Sequence, residues 1–519
     1  MSFERKENAW MVALSTCLMA AALQAQPPPE SCSSAVLALV PQPKSVVETG
    51  GVCTRGDAAE AIDWTKDASL PAEGYRLNVT PRGSAIASAD GAGAFYARQT
   101  LKQLARVEKK GKTTTVSYPC VRIEDAPAFK WRGFMLDEGR HFFGREAVKR
   151  CLDQMAAHKL NVFHWHLTED QGWRLALERF PELARYGSVR PDSPAYGSRG
   201  LPDRGDCVMT GVPYGPYFYT AEDVRDILAY AQARFITVVP EIEIPGHVQA
   251  LLAAHPEFSC RGDLPRVPRV HYAISDEVLC AGNDAAIAFM EKVYDEVCAL
   301  FPGAYIHIGG DECPKKRWKA CPKCQSRIKA LGLKDEEALQ GWVTRHFTEY
   351  LAKKGRRAIG WDEITAGDPP VETLVQAWRS PRYGIEAAAK GHDIIVSNVR
   401  QTYFSVPQGV SDDPFTYLSP DLIVGLEKTF AFNPLEGMTE AARPHVLGAE
   451  CCMWSECTWN LFDLEWKLFP RICAFAEAVW TAPAVPRDLS GFTARMSVHR
   501  KRLIAEHVNC APLFPRAER

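Results

Sequence analysis

From Trp131 onward the hydrophobic and polar positions repeat in three parts. A short apolar run comes first, then a polar tip bearing Gly or Trp, and between several runs a stretch with apolar residues at helical spacing. The runs are WRGFMLDEGR from Trp131, LNVFHWHLTEDQGW from Leu160, ITVVPEIEIPGH from Ile236 and YIHIGGDE from Tyr305. AIGWDEI from Ala358, LVQAWRS from Leu374, IIVSN from Ile394 and HVLGAECCMWSE from His445 complete a set of eight. Short apolar runs bounded by turn residues predict buried strands. Among the intervening helices, Thr220 and Asp223 make a capping-box start, and residues 285–301 carry an amphipathic period. Eight strands alternating with helices over about 350 residues predict an α/β fold, a (β/α)8 TIM barrel.

Upstream the pattern is different. GYRLNVT from Gly74 reads as a strand, GAGAFYARQTLKQLARV from Gly91 as an amphipathic helix, and TTTVSYPCVRIED from Thr113 as another strand. This predicts a small accessory α+β domain over residues 30–126, with the barrel over 127–519. At the N-terminus, Arg5 and Lys6 precede an apolar run from Ala9 to Leu23 and small residues to Ala25. That order predicts a signal peptide over residues 1–25, hence export, periplasmic or extracellular. The run is short for a membrane span, and no later stretch predicts one.

The 519 residues carry 61 basic and 63 acidic side chains, a net charge of −2. That balance argues against a nucleic-acid partner or a polybasic membrane surface. Of 17 cysteines, 16 follow the signal segment. In an exported chain some should pair, with Cys260 and Cys280 as candidates. CPKC at Cys321–Cys324, near Cys313, also fits a metal-binding spacing without an evident fourth ligand; pairing or free thiols is the expectation, and no metal or cofactor is assigned.

A TIM barrel builds its active site from the C-terminal ends of its strands. Those tips hold Arg140, Glu169, Asp170, Glu243, His247, Asp311, Glu312, Trp361, Trp378, Tyr403, Trp454 and Glu456. Carboxylates among aromatics, with no phosphate-binding loop, suit a sugar: rings stack on aromatic faces, and carboxylates and Arg bind hydroxyls. Glycoside hydrolysis needs a carboxylic acid to protonate the leaving oxygen. The adjacent pair Asp311–Glu312 is unusual, because neighbours on a strand face opposite ways unless the backbone turns.

HIGGDE, NVFHWHLTEDQGWR, PGH, GWDE and MWSE, in that order, resemble the family 20 glycoside hydrolases, the β-N-acetylhexosaminidases. The resemblance covers Trp131 to about Trp480, and the upstream unit resembles that family's accessory domain. It implies exo-acting, substrate-assisted retaining hydrolysis of terminal N-acetylhexosamine from a glycan partner. Glu312 is then the acid/base, and Asp311 orients the substrate acetamide. Tyr403 binds the acetamide oxygen. Trp361, Trp378 and Trp454 wall the methyl pocket, and Arg140 and Glu456 bind the terminal sugar's hydroxyls. Glu169, Glu243 and His247 tune Glu312; His307 joins them or only packs the barrel. Asp362 and Glu363 read as structural. Glu169 stands where the family often has Asp. Ser405 stands where it often has a sugar-contacting Asp, which leaves open a pocket tolerant of 6-sulfation or replacement by Asp412 or Asp413. A disaccharide-releasing lacto-N-biosidase and a non-catalytic sugar-binding barrel are the alternatives.

Overall fold

The structure is a computed structural model that describes residues 38–55, 62–111, 113–196, 207–409, 422–482 and 485–514. The signal segment, Asp412 and Asp413 lie outside the described residues. The eight apolar runs form barrel strands β1 (Trp131–Asp137), β2 (Val162–His166), β3 (Thr237–Glu241), β4 (Tyr305–His307), β5 (Arg357–Trp361), β6 (Leu374–Ala377), β7 (Ile394–Val396) and β8 (Val446–Met453). Each pairs in parallel with the next, and β8 pairs with β1, so the barrel closes. Parallel strands need covered faces. Helices Arg145–Ala157, Ala221–Gln232, Asp284–Leu300, Glu336–Lys353 and Pro381–Ala389 lie between successive strands and present buried apolar residues. The Thr220–Asp223 capping box forms as its spacing predicts.

Period two decides what points inward. In HWH, Trp165 points outward against Tyr219 and Phe301, with ring centroids 4.6 and 6.3 Å away. His164 and His166 therefore point inward, to carboxylates of other strands.

The upstream unit is a six-stranded sheet spanning Ser45–Asp125, with helix Gly91–Leu104 packed on it. The strands Ser45–Arg55 and Asp63–Lys66 add to the elements expected from the sequence. Asp125 joins this sheet to the barrel. Its Oδ2 accepts hydrogen bonds from Tyr75 Oη at 2.8 Å, Lys159 Nζ at 2.9 Å and Trp480 Nε1 at 2.9 Å. Burial pushes the Lys159 ammonium below its ordinary range, and Asp125 opposes that.

Removing one partner of such a pair strands the other charge in the interior. Asp125→Ala should lower unfolding free energy by about 3–5 kcal/mol in urea melts. The double variant Asp125→Leu/Lys159→Met should recover most of the loss. A single variant as stable as the parent would show that the pair does not hold the two units together.

Candidate active site

Strand β4 stops at His307, and the chain then turns through left-handed backbone at Gly309 (φ 67°), Gly310 (φ 95°) and Glu312 (φ 41°). A Cβ at position 309 would sit 1.6 Å from Glu243 Oε2, so any side chain there would have to displace Glu243. Positive φ is uncommon outside glycine, and such conformations gather at functional sites. Because of this turn, strand alternation no longer separates the two carboxylates. Both reach His247 (φ 52°): Asp311 Oδ2 lies 3.6 Å and Glu312 Oε2 3.7 Å from its Nε2. The Asp311 side chain is 12% exposed and that of Glu312 35%, so Glu312 is the more open to an incoming ligand.

The other nitrogen of His247 leads away from the pair. Its Nδ1 lies 2.8 Å from Glu169 Oε1, whose Oε2 is 3.1 Å from Arg140 Nη2. Arg140 also pairs with Asp137 at 3.2 Å and donates to Gln171 at 3.1 Å, and its guanidinium lies 5.1 Å from the Trp454 ring centre. The structural pairing with Asp137 therefore coexists with a place in the cavity wall. Glu456 Oε1 is 4.0 Å from Arg140. Asp170 accepts from the Gln249 N–H at 3.0 Å and so holds its loop.

Burial sets the protonation of these groups. Burial, with the charge of Glu312 added, raises the Asp311 carboxyl to about 7, against the pull of His247. Burial also works against the Glu169 charge, but Arg140 and His247 outweigh it and hold Glu169 below the ordinary range. His247 is raised well above its usual value: burial opposes its charge, and Glu169 and Asp311 overcome that.

Aromatic rings close the sides. Trp378 stacks on Tyr403 with centroids 6.0 Å apart and planes at 13°, and Trp454 lies 5.8 Å from Trp361 and 6.1 Å from Tyr403. Both outer indole N–H groups are tied down. Trp361 donates to Glu241 at 2.8 Å and Trp378 to Glu363 at 3.0 Å. Asp362 accepts from the Trp378 and Arg379 backbone N–H groups, so both carboxylates of that turn position the aromatic wall. The result is a cavity of about 150 Å³ lined by Arg140, His247, Asp311, Glu312, the three Trp, Tyr403, Glu456 and Val399.

Residues 129–483 match the description "Glycosyl hydrolase family 20, catalytic domain", and residues 42–126 match "Glycosyl hydrolase family 20, domain 2". The chain belongs to glycoside hydrolase family 20. It is 42% identical to a beta-hexosaminidase of Porphyromonas gingivalis over 85% of this chain and 55% of the relative. It is 35% identical to a beta-hexosaminidase of Vibrio furnissii, over 78% and 64% respectively. It thus spans a little over half to about two thirds of those two proteins. An Akkermansia muciniphila beta-hexosaminidase is 32% identical over 93% of each chain. Among solved structures, a GH20 exo beta-N-acetylglucosaminidase of Vibrio harveyi superposes with a TM-score of 0.83 at 28% identity, over 92% of this chain and 79% of that one. A beta-N-acetylhexosaminidase of Bacteroides fragilis gives 0.78 at 30%, over 91% and 97%.

The structure places the remaining sequence candidates as follows. His307 does not reach Glu312; its Nδ1 lies 2.8 Å from Glu241 Oε1, beneath Trp361. Glu243 sits against the turn at Gly309 and couples to Asp311, and burial with that neighbour raises its carboxyl well above the ordinary range. Ser405 is buried outside the cavity lining, and among the described residues its hydroxyl has no hydrogen-bond partner. The 15 described cysteines are free, the pairing candidates Cys260 and Cys280 among them. The sequence reading missed Glu241, His164 and Glu450. Glu241 accepts from Trp361 Nε1 and has His164 Nε2 at 2.9 Å and His307 Nδ1 at 2.8 Å, and His164 Nδ1 lies 2.7 Å from Glu450. The signal was present: HWH and PEIE place same-face polar residues at every second position of strands that are otherwise apolar.

The raised Asp311 carboxyl makes a signed prediction. Its folded value of about 7 lies above the ordinary 3.8, so unfolding releases a proton between those pH values. Its contribution to stability is full at low pH and lost as pH rises through 7. Asp311→Asn should therefore stabilise the chain by on the order of 2 kcal/mol at pH 8 and little at pH 4. Urea melts at both pH values read this, and an equal effect at the two would refute the assignment.

Proposed function

We propose that the chain is an exported, exo-acting β-N-acetylhexosaminidase that removes terminal β-linked N-acetylhexosamine from glycans with retention of configuration. The observation that carries this reading is the turn that aims Asp311 and Glu312 into one aromatic-walled cavity. The other carboxylate among its described lining residues, Glu456, lies beside Arg140. With no second carboxylate set opposite the acid among the described residues, the nucleophile is assigned to the substrate's own acetamide, the known exception to two-carboxylate retention. The relatives named beta-hexosaminidase support the same activity. A cavity of about 150 Å³, small beside the ~300–1,000 Å³ usual for ligand pockets, favours one terminal sugar over a disaccharide. Export rests on the basic, apolar and small-residue order of residues 5–25.

In this mechanism the terminal sugar's hydroxyls are held by Arg140 and Glu456. The acetamide lies between Trp361, Trp378 and Trp454, its N–H donated to ionised Asp311. The Tyr403 hydroxyl, which lines the same cavity, donates to the acetamide oxygen. That oxygen attacks C1 as the C1–O bond to the leaving group breaks, and Glu312 gives its proton to the departing oxygen. An oxazolinium ion results, its charge balanced by Asp311. Glu312, now a carboxylate, takes a proton from the water that attacks C1 and reopens the ring. Two inversions give retention.

Glu312→Gln should lower kcat on a β-linked GlcNAc disaccharide by about 10²–10⁴-fold, with much smaller loss on an aryl glycoside whose leaving group needs no proton. A thiazoline analogue of the cyclised intermediate should bind far more tightly than GlcNAc, and Asp311→Asn should weaken it. Near-parental disaccharide hydrolysis by Glu312→Gln, or a glycosyl ester trapped on a carboxylate, would overturn the mechanism.

A further inference from the structure

Four cysteines outside the cavity converge on one point. Cys260 and Cys280 come from the long connection after β3, and Cys321 and Cys324 from the connection after β4. Their sulfurs all lie within 4.8 Å of one another. Cys280 Sγ is 3.7 Å from both Cys321 Sγ and Cys324 Sγ, and Cys260 Sγ is 3.8 Å from Cys324 Sγ. A disulfide needs sulfurs about 2.05 Å apart, and two disulfides would sort four sulfurs into two close pairs. Here Cys280 and Cys324 each stand at near-equal distances from two others. Zinc bound at about 2.3 Å by four sulfurs holds them about 3.8 Å apart along the edges of a tetrahedron.

The surroundings are built around those sulfurs. Cys280, Cys321 and Cys324 are buried, and Cys260 is partly so. Position 282 must be glycine, because a Cβ there would come within 2.3 Å of the Cys324 nitrogen. Cys321 caps helix Pro322–Ala330, and Cys324 lies in its first turn, where the helix dipole favours negative charge. Soft thiolates in a tetrahedral set select zinc over hard cations such as magnesium or calcium. Cys313, adjacent to Glu312 in sequence, is not a member of the cluster.

We propose that Cys260, Cys280, Cys321 and Cys324 form a structural zinc site that fastens the connection after β3 to the connection after β4. Binding deprotonates the thiols and releases their protons to solvent, with no change in oxidation state. All four coordination positions are filled by protein, so the ion has no open position for substrate and takes no part in hydrolysis. Its effect reaches the active site through backbone contacts. The Leu279 N–H donates to Pro245 O at 2.9 Å, two residues before His247, and Trp318 Nε1 donates to Leu279 O at 2.9 Å. Gly246 packs on the Asp311 carbonyl and the Cys313 backbone. The clamp thereby holds the loop bearing His247 against the loop bearing Asp311 and Glu312.

The test is metal and thiol analysis of the full chain, purified without chelator from cells supplied with zinc. Elemental analysis should find about one zinc per chain, and a mercurial reagent should release it to a chromogenic chelator. Chain stripped of metal should melt at lower temperature and recover with added zinc but not magnesium. Loading with cobalt should give the visible bands of a tetrahedral thiolate complex. Cys324→Ser should lower zinc content by about tenfold, while Cys313→Ser should leave it unchanged. Since Cys324→Ser can fail to fold, the wild-type metal content and cobalt spectrum decide independently of it. A wild-type chain without zinc, or non-reduced peptides joined by disulfides among these four cysteines, would overturn the proposal.

Discussion

The 2.8 Å contact between Glu169 and His247 is the interaction on which the cavity depends. One end of the cavity holds a buried cation, Arg140, and the other holds two adjacent carboxyls, Asp311 and Glu312. Neither end is tolerable alone in a low-dielectric interior. Glu169 takes Arg140 on one oxygen and His247 on the other, and His247 turns its far nitrogen toward the carboxyl pair. Opposite charges then alternate through the chain of contacts. Arg140 and His247 hold Glu169 low, while burial and the neighbouring Glu312 raise Asp311 against the pull of His247.

A second layer supports the first. Glu241 binds two histidines and the Trp361 indole, and Glu450 takes His164 and Gln376. These groups put polar side chains in the barrel beneath the pocket, where apolar side chains are the usual filling. Each hydrogen bond in this buried layer constrains its partners, because losing it leaves a buried polar group unsatisfied. Trp361 is thus anchored from below, and Trp378 from the side by Glu363 and Asp362. The aromatic walls owe their positions to carboxylates that never enter the cavity.

Backbone conformation supplies what side chains cannot. The left-handed residues at Gly309, Gly310 and Glu312, with His247 opposite them, convert two strand neighbours into a pair facing one space. The turn fits only because position 309 lacks a Cβ and Glu243 occupies the vacated volume. Strain of this sort persists when surrounding contacts over-determine it. The packing of Gly246 on Asp311 and the Leu279–Pro245 hydrogen bond are such contacts.

The sequence alone determined the eight-stranded alternation, the accessory unit and nearly all of the cavity lining. Those features are local: a strand of period two ends at a polar tip, and in a closed parallel barrel all tips meet at one face. Trp361, Trp378, Trp454 and Glu456 were legible for that reason. Tertiary structure alone decided the partners. Closure of the barrel brings Arg140, just past β1, beside Glu456, just past β8, and Glu241 from β3 beneath Trp361 from β5, distances along the chain that no periodicity encodes. It set His307 against Glu241, placed Ser405 outside the lining, and gathered Cys260 and Cys280 with Cys321 and Cys324 while leaving out the nearer-looking Cys313. The physical reason is that hydrophobic periodicity specifies which face of an element is buried, whereas charge pairing and ligand geometry depend on where other elements' faces come to rest.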